Sequence, residues 1–148
     1  MTVERMQELC DGVCDAFRVS GLQLDEGYGG PVAFHLLRKG VTVDVMHYPR
    51  SAPDHIFLLV GLGELPLEDP RIGRIVLSLL EMNFQPAALQ PPVVGRNPAT
   101  GQIVLKCVFP LADVTPAAFA EAIDVCVDIA LDWRKDFFQE EALEGIDG

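Results

Sequence analysis

Hydrophobic and polar positions alternate along this chain with two different periods. Val3, Met6, Leu9 or Cys10, Val13 and Phe17 recur at helical spacing, so residues 2–19 predict an amphipathic helix. Thr2 can cap it, with Arg5 where a capping box prefers an acid, and Gly21 ends it. The breakers in 27–31, GYGGP, then separate it from three strand-like runs over 32–37, 41–46 and 55–60. Arg38-Lys39-Gly40 reads as a tight turn and 49–53 as a loop, which predicts an antiparallel meander. In the second run Val41, Val43 and Val45 share a face. The third run is apolar on both faces, with Ile56, Leu58 and Val60 on one side and Phe57 and Leu59 on the other. Such a strand is either sandwiched or exposed to a partner.

Residues 61–67, GLGELPL, predict a loop. A second helix opens with Asp69 as cap and Pro70 at its first position, and runs to about Asn83. Ile72, Ile75, Val76, Leu79 and Leu80 form its main stripe, and Leu77 and Met82 widen it. That is more apolar circumference than a surface helix of a monomer needs. A Pro/Ala connector over 84–92 leads to strands at 93–96 and 102–109, stopped by Pro110. Thr115 caps the last helix and Pro116 starts it. Phe119, Ile123, Cys126, Ala130, Trp133 and Phe137 make its apolar stripe. Asp124, Asp128, Asp132 and Asp136 recur at i,i+4 on another face, which reads as solvated.

The element order is α-β-β-β-α-β-β-α, an α+β fold with a twisted antiparallel sheet flanked by helices. One domain spans 1–138, and 139–148 reads as a flexible acidic tail.

Composition adds a constraint. Hydrophobic residues make up 49% of the chain, yet 22 acidic residues face 11 basic ones, for a net charge of -11. So much apolar material beside so much acid predicts either an apolar surface that a partner covers or a greasy core under an acidic shell. The acidity argues against nucleic acid, whose phosphates need Lys and Arg. A basic or hydrophobic partner suits it better. The N-terminus carries Glu4, Arg5 and Glu8 rather than a signal peptide, and no apolar run approaches a membrane span. A soluble cytoplasmic protein is expected. The four cysteines contain no CxxC pair, so reduced thiols are expected rather than structural zinc.

The stretch 95–105, GRNPATGQIVL, invites a phosphate-loop reading. A Walker loop needs Lys-Ser/Thr after its last glycine and then a helix. Here Gln102-Ile103 and a strand follow Gly101, so the stretch reads as a hairpin turn begun by Asn97-Pro98. His35, His47 and His55 lie in or beside the meander, with Asp44 or Asp54 as a conceivable fourth metal ligand. Their spacing matches no ligand motif, and structural histidines are the simpler reading. No GxSxG or nucleophile motif is present, so no enzyme, metal or cofactor is indicated.

The second half carries a resemblance. A helix ending LLEMNFQP precedes the hairpin GRNPATGQIVL, and a strand ending FPL leads to the helix TPAAFAEAIDVCVDIALDWR. Over roughly residues 1–136 the chain resembles the CesT-like (Tir chaperone) family of class I type III secretion chaperones. The size and acidity also suit that family. The resemblance implies a homodimeric bacterial cytosolic chaperone without ATPase activity. Such a chaperone holds the N-terminal region of a secreted effector extended and secretion-competent. It implies dimerisation through the second helix, with Ile72, Ile75, Val76, Leu77, Leu79, Leu80 and Met82 divided between core and interface. Leu77 and Met82, off the main stripe, are the first interface candidates. Phe34, Leu36, Val43, Val45, Phe57 and Leu59 are the candidate effector contacts. Alternating faces cannot both be exposed, so half or more of these six belong to a core. The alternative function is an α+β regulatory or scaffold module that binds a folded partner.

Overall fold

Residues 2–26, 30–84 and 92–137 of the protein are described by a computed structural model. Residues 85–91 of the predicted connector, the tail from Gln139, the side chains of Thr2 and Phe137, and residues 27–29 of the breaker cluster lie outside the described residues.

The elements follow the order α1 (Thr2–Phe17), β1 (Asp25–Glu26), β2 (Val32–Arg38), β3 (Val41–Tyr48), β4 (Ala52–Glu64), α2 (Ile72–Met82), β5 (Val93–Arg96), β6 (Gln102–Pro110) and α3 (Pro116–Phe137). The strands form one sheet in the order β1-β2-β3-β4-β6-β5, and every neighbouring pair is antiparallel. The predicted α+β order holds, with one addition. The two-residue β1 lies between the first helix and the breaker cluster, where no element is predicted, because so short a strand has no period of its own.

Local chemistry explains the boundaries. Arg18 ends α1 in the left-handed region at φ 55°, and the Val19 amide closes back on the Cys14 carbonyl at 3.0 Å. The helix thus stops before Gly21. Lys39 and Gly40 both take positive φ, as a two-residue hairpin turn between β2 and β3 requires. The segment read as a loop after residue 60 instead continues β4 to Glu64. Its glycines serve the strand. A side chain at Gly61 would collide with Thr42, and Gly63, at φ 118°, absorbs a register shift against β6. Helix α2 starts at Ile72, later than predicted, because Asp69 organises a separate turn. The Asp69 carboxylate accepts from the Arg71 backbone N–H at 2.8 Å and from its guanidinium at 2.9 Å. Those bonds hold the carboxyl at a pKa of about 2. The 97–101 turn is as read: Gly101 N–H donates to the Asn97 carbonyl at 2.7 Å, and Gly101 has φ 78°.

Helices α1 and α3 pack together over one face of the sheet. Phe34, Val43, Val45, Ile56, Leu58, Val60 and Leu105 point into that layer and meet Met6, Leu9, Val13, Phe119, Ile123 and Trp133. Phe109 and Phe119 join β6 to α3 edge-to-face at 5.5 Å. Three arginines close the seams. Arg5 of α1 donates to the backbone carbonyls of Leu111 and Val114, in the loop before α3. Arg38 of β2 lies 3.9 Å over the Phe17 ring and bonds Asp124 of α3 at 3.0 Å. Arg134 of α3 donates to the carbonyls of Leu62 at 2.9 Å and Gly61 at 3.0 Å, where the β4 ladder is interrupted.

Two stability outcomes follow. Alanine usually stabilises a helix by about 1 kcal/mol over glycine. At Gly12, however, an added Cβ runs into the rigid ring of Pro116, where α1 meets α3. Gly12→Ala is expected to lower stability by about 1–2 kcal/mol in urea denaturation, since overpacking outweighs propensity. Arg134→Lys keeps the charge but loses the planar fork, and is expected to cost about 1–2 kcal/mol by the same measurement.

Candidate functional site

The face of the sheet away from α1 and α3 carries Met46, Tyr48, Phe57, Leu59, Val104 and Val108, all half-buried. Strand alternation dictates the membership. Residues directly opposite across the ladder share a face, so Met46, Phe57 and Val108 form one row and Leu59 stands beside Lys106 and Asp44. Tyr48 and Phe57 touch edge-to-face at 5.4 Å, and the Lys106 ammonium lies 5.9 Å from the Phe57 ring centre. A shallow groove of about 290 Å³ continues this surface between Leu59, Val93, Val104 and Lys106. Apolar rings and branched side chains with a few charges at the margin make a surface able to seat alternate side chains of an extended peptide.

Helix α2 supplies a second apolar surface. Ile75 and Leu79 point inward and join the core beside Val94, Ile103 and Leu105. Val76, Leu77 and Leu80 point outward, with Leu77 58% and Leu80 61% exposed, while Ile72 and Met82 are half-buried. Asn83 fixes the helix in place. Its side chain accepts from the Val94 N–H at 2.7 Å and donates to the Val94 carbonyl at 3.2 Å, closing the outer edge of β5. The stripe on α2 is therefore split, half into the core and half into solvent at the β5 end of the sheet.

The opposite end has an open edge. β1 pairs only with Val32 and Ala33, so Phe34–Arg38 has no strand partner on its outer side among the described residues. Its unpaired backbone groups are a template for an added strand.

Against this geometry the six candidate effector contacts divide. Phe34, Val43 and Val45 have no exposed surface, a correction to their reading as contact residues, because they form the layer beneath α1 and α3. Leu36 lies on that same face, half-buried at the margin of the core. Phe57 and Leu59 stand together on the open face. Met46, Tyr48, Val104 and Val108 share that face and were not singled out. The signal was present in the alternation of Val41, Val43 and Val45, whose opposite parity is Thr42, Asp44 and Met46. Of the seven α2 residues, Leu77 and Leu80 are the most exposed.

The histidines do not converge. His47 is fully buried on the inner face, with Nε2 at 2.9 Å from the Pro53 carbonyl. His35 is exposed on the open face and pairs with Asp44 at 2.7 Å. Among the described residues no three metal-binding side chains cluster, and no helix is long and apolar enough to cross a membrane. The aspartate stripe of α3 is partly paired: Asp124 meets Arg38 and Asp128 meets Lys39 at 3.8 Å.

Comparison with known proteins gives the following. The chain is similar to one in the crystal structure of the Yersinia pestis type III secretion chaperone SycH in complex with a stable fragment of YscM2. The TM-score is 0.62 at 10% identity, covering 84% of this chain and 96% of that one. It is similar to a chain of the ExsC-ExsE complex, with TM-score 0.65, 17% identity and coverage of 89% and 92%. It is also similar to a chain of the ExoT-SpcS complex from Pseudomonas aeruginosa, with TM-score 0.56, 16% identity and coverage of 86% and 96%. At such identities these likenesses speak for the fold. No curated protein matches the sequence significantly. The model of the Tir chaperone protein (CesT) family matches residues 40–134, from the β2–β3 turn to the arginine that closes α3 on β4. The chain belongs to the Tir chaperone protein (CesT) family.

Proposed function

We propose that this protein is a non-enzymatic, cytoplasmic chaperone of a type III secreted effector. It acts as a homodimer, holds the effector's N-terminal region extended, and keeps it soluble and secretion-competent. The observation that carries this reading is the family match over 40–134. SycH in complex with a YscM2 fragment offers a precedent on the same fold.

The surfaces described above supply the physics. Two copies pair through the outward residues of α2, Val76, Leu77 and Leu80, where fully burying each leucine contributes about 1.5–3 kcal/mol. An effector segment adds as a strand beside Phe34–Arg38 and drapes over Phe57, Leu59 and their neighbours on the open face. Main-chain hydrogen bonds provide affinity without demanding a particular sequence, and alternate apolar side chains provide selectivity. Ordering the client costs several kcal/mol, which the buried area must offset. The net charge of -11 keeps the loaded complex dispersed and favours a basic client.

The test is co-expression with the N-terminal segment of a secreted effector encoded nearby, followed by gel filtration with light scattering. The protein alone is expected to run at twice the 16.2 kDa chain mass, and the complex is expected to survive the column. The bound segment should remain sensitive to protease outside the contact region, as an extended chain does. A monomer that retains no such segment refutes the reading.

Substitution separates the two surfaces. Leu77→Asp with Leu80→Asp is expected to raise the dimer Kd at least about 100-fold while the circular dichroism spectrum stays unchanged, because both side chains are exposed in the single chain. Phe57→Asp with Leu59→Asp is expected to leave the dimer intact and weaken client binding by about 10-fold or more, read by titration calorimetry.

A further inference from the structure

Two thiols meet across the seam between β6 and α3. Cys107 Sγ and Cys126 Sγ lie 3.3 Å apart, and all four cysteines of the chain are free. Cys107 sits on the inner face of β6, directly opposite Leu58 of β4. Cys126 belongs to the buried stripe of α3, between Ile123 and Ala130.

Their surroundings differ in a way that matters for reactivity. Cys126 is buried, whereas Cys107 is half-buried. Both line a groove of about 410 Å³ together with Phe109, Ala118, Ala122 and Ile129. The groove lies beside the second half of β6, where β5 has ended: β5 pairs only with residues 103–106. Among the described residues the groove leaves one side of Cys107 partly open. The hydrogen bond between the two thiols holds the Cys107 pKa down and pushes that of Cys126 up, which favours Cys107 as the first to lose its proton. Cys10 contrasts with it, since burial raises its pKa to about 11.

We propose that Cys107 and Cys126 are a reversible redox pair, which hydroperoxides oxidise to an intrachain disulfide that fastens α3 to β6. In the first step the Cys107 thiolate attacks one peroxide oxygen. An S–O bond forms, the O–O bond breaks, and hydroxide (or alkoxide) leaves. Cys107 is now a sulfenic acid and the peroxide has taken two electrons. In the second step the Cys126 sulfur attacks the Cys107 sulfur. The S–S bond forms, the S–O bond breaks, and the departing hydroxide leaves as water with the Cys126 proton. The net reaction with hydrogen peroxide consumes two thiols and one peroxide and yields one disulfide and two waters. The sulfurs need to approach by only about 1 Å to reach bonding distance. A dithiol reverses the step by exchange.

The experiment uses the full chain, reduced, desalted and treated with a small excess of hydrogen peroxide. Titratable thiols are expected to fall from four to two and to return with dithiothreitol. Trypsin cuts after Lys106 and Arg134, so one peptide, 107–134, carries both cysteines. Its mass is expected to fall by about 2 Da, for the loss of two hydrogens on disulfide formation. Cleavage before Asp113 and Asp124 should then leave the two halves linked until reduction. In Cys126→Ala the same peptide is expected to gain about 16 or 32 Da instead, since no second thiol resolves the sulfenic acid. Cys10→Ala with Cys14→Ala should retain the mass loss. The proposal is overturned if 107–134 in the unsubstituted chain gains oxygen or stays unchanged. It is equally overturned if Cys10 and Cys14 are consumed first, or if the link joins two chains on a non-reducing gel.

Discussion

A six-stranded sheet has two faces, and α1 and α3 serve only one of them. Everything else in the molecule depends on that imbalance. The covered face takes Phe34 of β2, Val43 and Val45 of β3, and Ile56, Leu58 and Val60 of β4, and becomes the core. The other face is left with Met46, Tyr48, Phe57, Leu59, Val104 and Val108, which are apolar enough to gain from burial yet half in water. Helix α2 does not relieve the deficit. It stands at the β5 edge, where Asn83 holds it to Val94, and itself turns leucines outward. The chain thus folds with a core complete on one side and with apolar surface left on the other.

The covered layer must hold firm if the open one is to be shaped by a partner. Arginine does much of that work, in places where helix packing alone leaves backbone carbonyls or seams. Arg134 reaches the carbonyls at the β4 irregularity, Arg5 those before α3, and Arg38 lies between Phe17 and Asp124. Each uses the planar fork that lysine lacks. In a chain this acidic, these few cations are placed at joints. The α3 aspartates that read as a solvated stripe meet the β2–β3 turn through Arg38 and Lys39, which offsets part of their mutual repulsion.

Period and punctuation made the helices, the 97–101 turn and the order of elements along the chain legible, because each rests on neighbours in sequence; the pairing of β6 with β4 and the place of β5 at the edge do not. What failed rests on contacts across the fold. In β2 the run Val32-Ala33-Phe34-His35-Leu36-Leu37 is apolar at both parities, so the sequence does not say that Leu36 faces the core while Leu37 is 68% exposed. The same ambiguity covers Phe34, whereas in β3 the alternation against Thr42 and Asp44 already puts Val43 and Val45 together on one face. The glycines after Val60 read as a loop, yet they let β4 pass Thr42 and shift register. The bonds from Arg134 to β4 span more than seventy residues, and no local pattern announces them. In α2 the width of the apolar stripe was legible and correctly pointed to surplus surface. Its split into inward and outward halves needed the position of β5.

The strand order then decides whether the two open surfaces can be used together. The α2 surface lies at the β5 end, and the free β2 edge lies four strand spacings away across β6, β4 and β3. At about 4.8 Å per spacing the separation is about 19 Å, beyond the reach of one side chain. A copy docked on α2 therefore leaves the β2 edge accessible. Had α2 stood at the β2 edge, a copy docked on it would have covered the unpaired edge of Phe34–Arg38. The two surfaces are kept apart because α2 is held against β5, at the end of the sheet opposite β2.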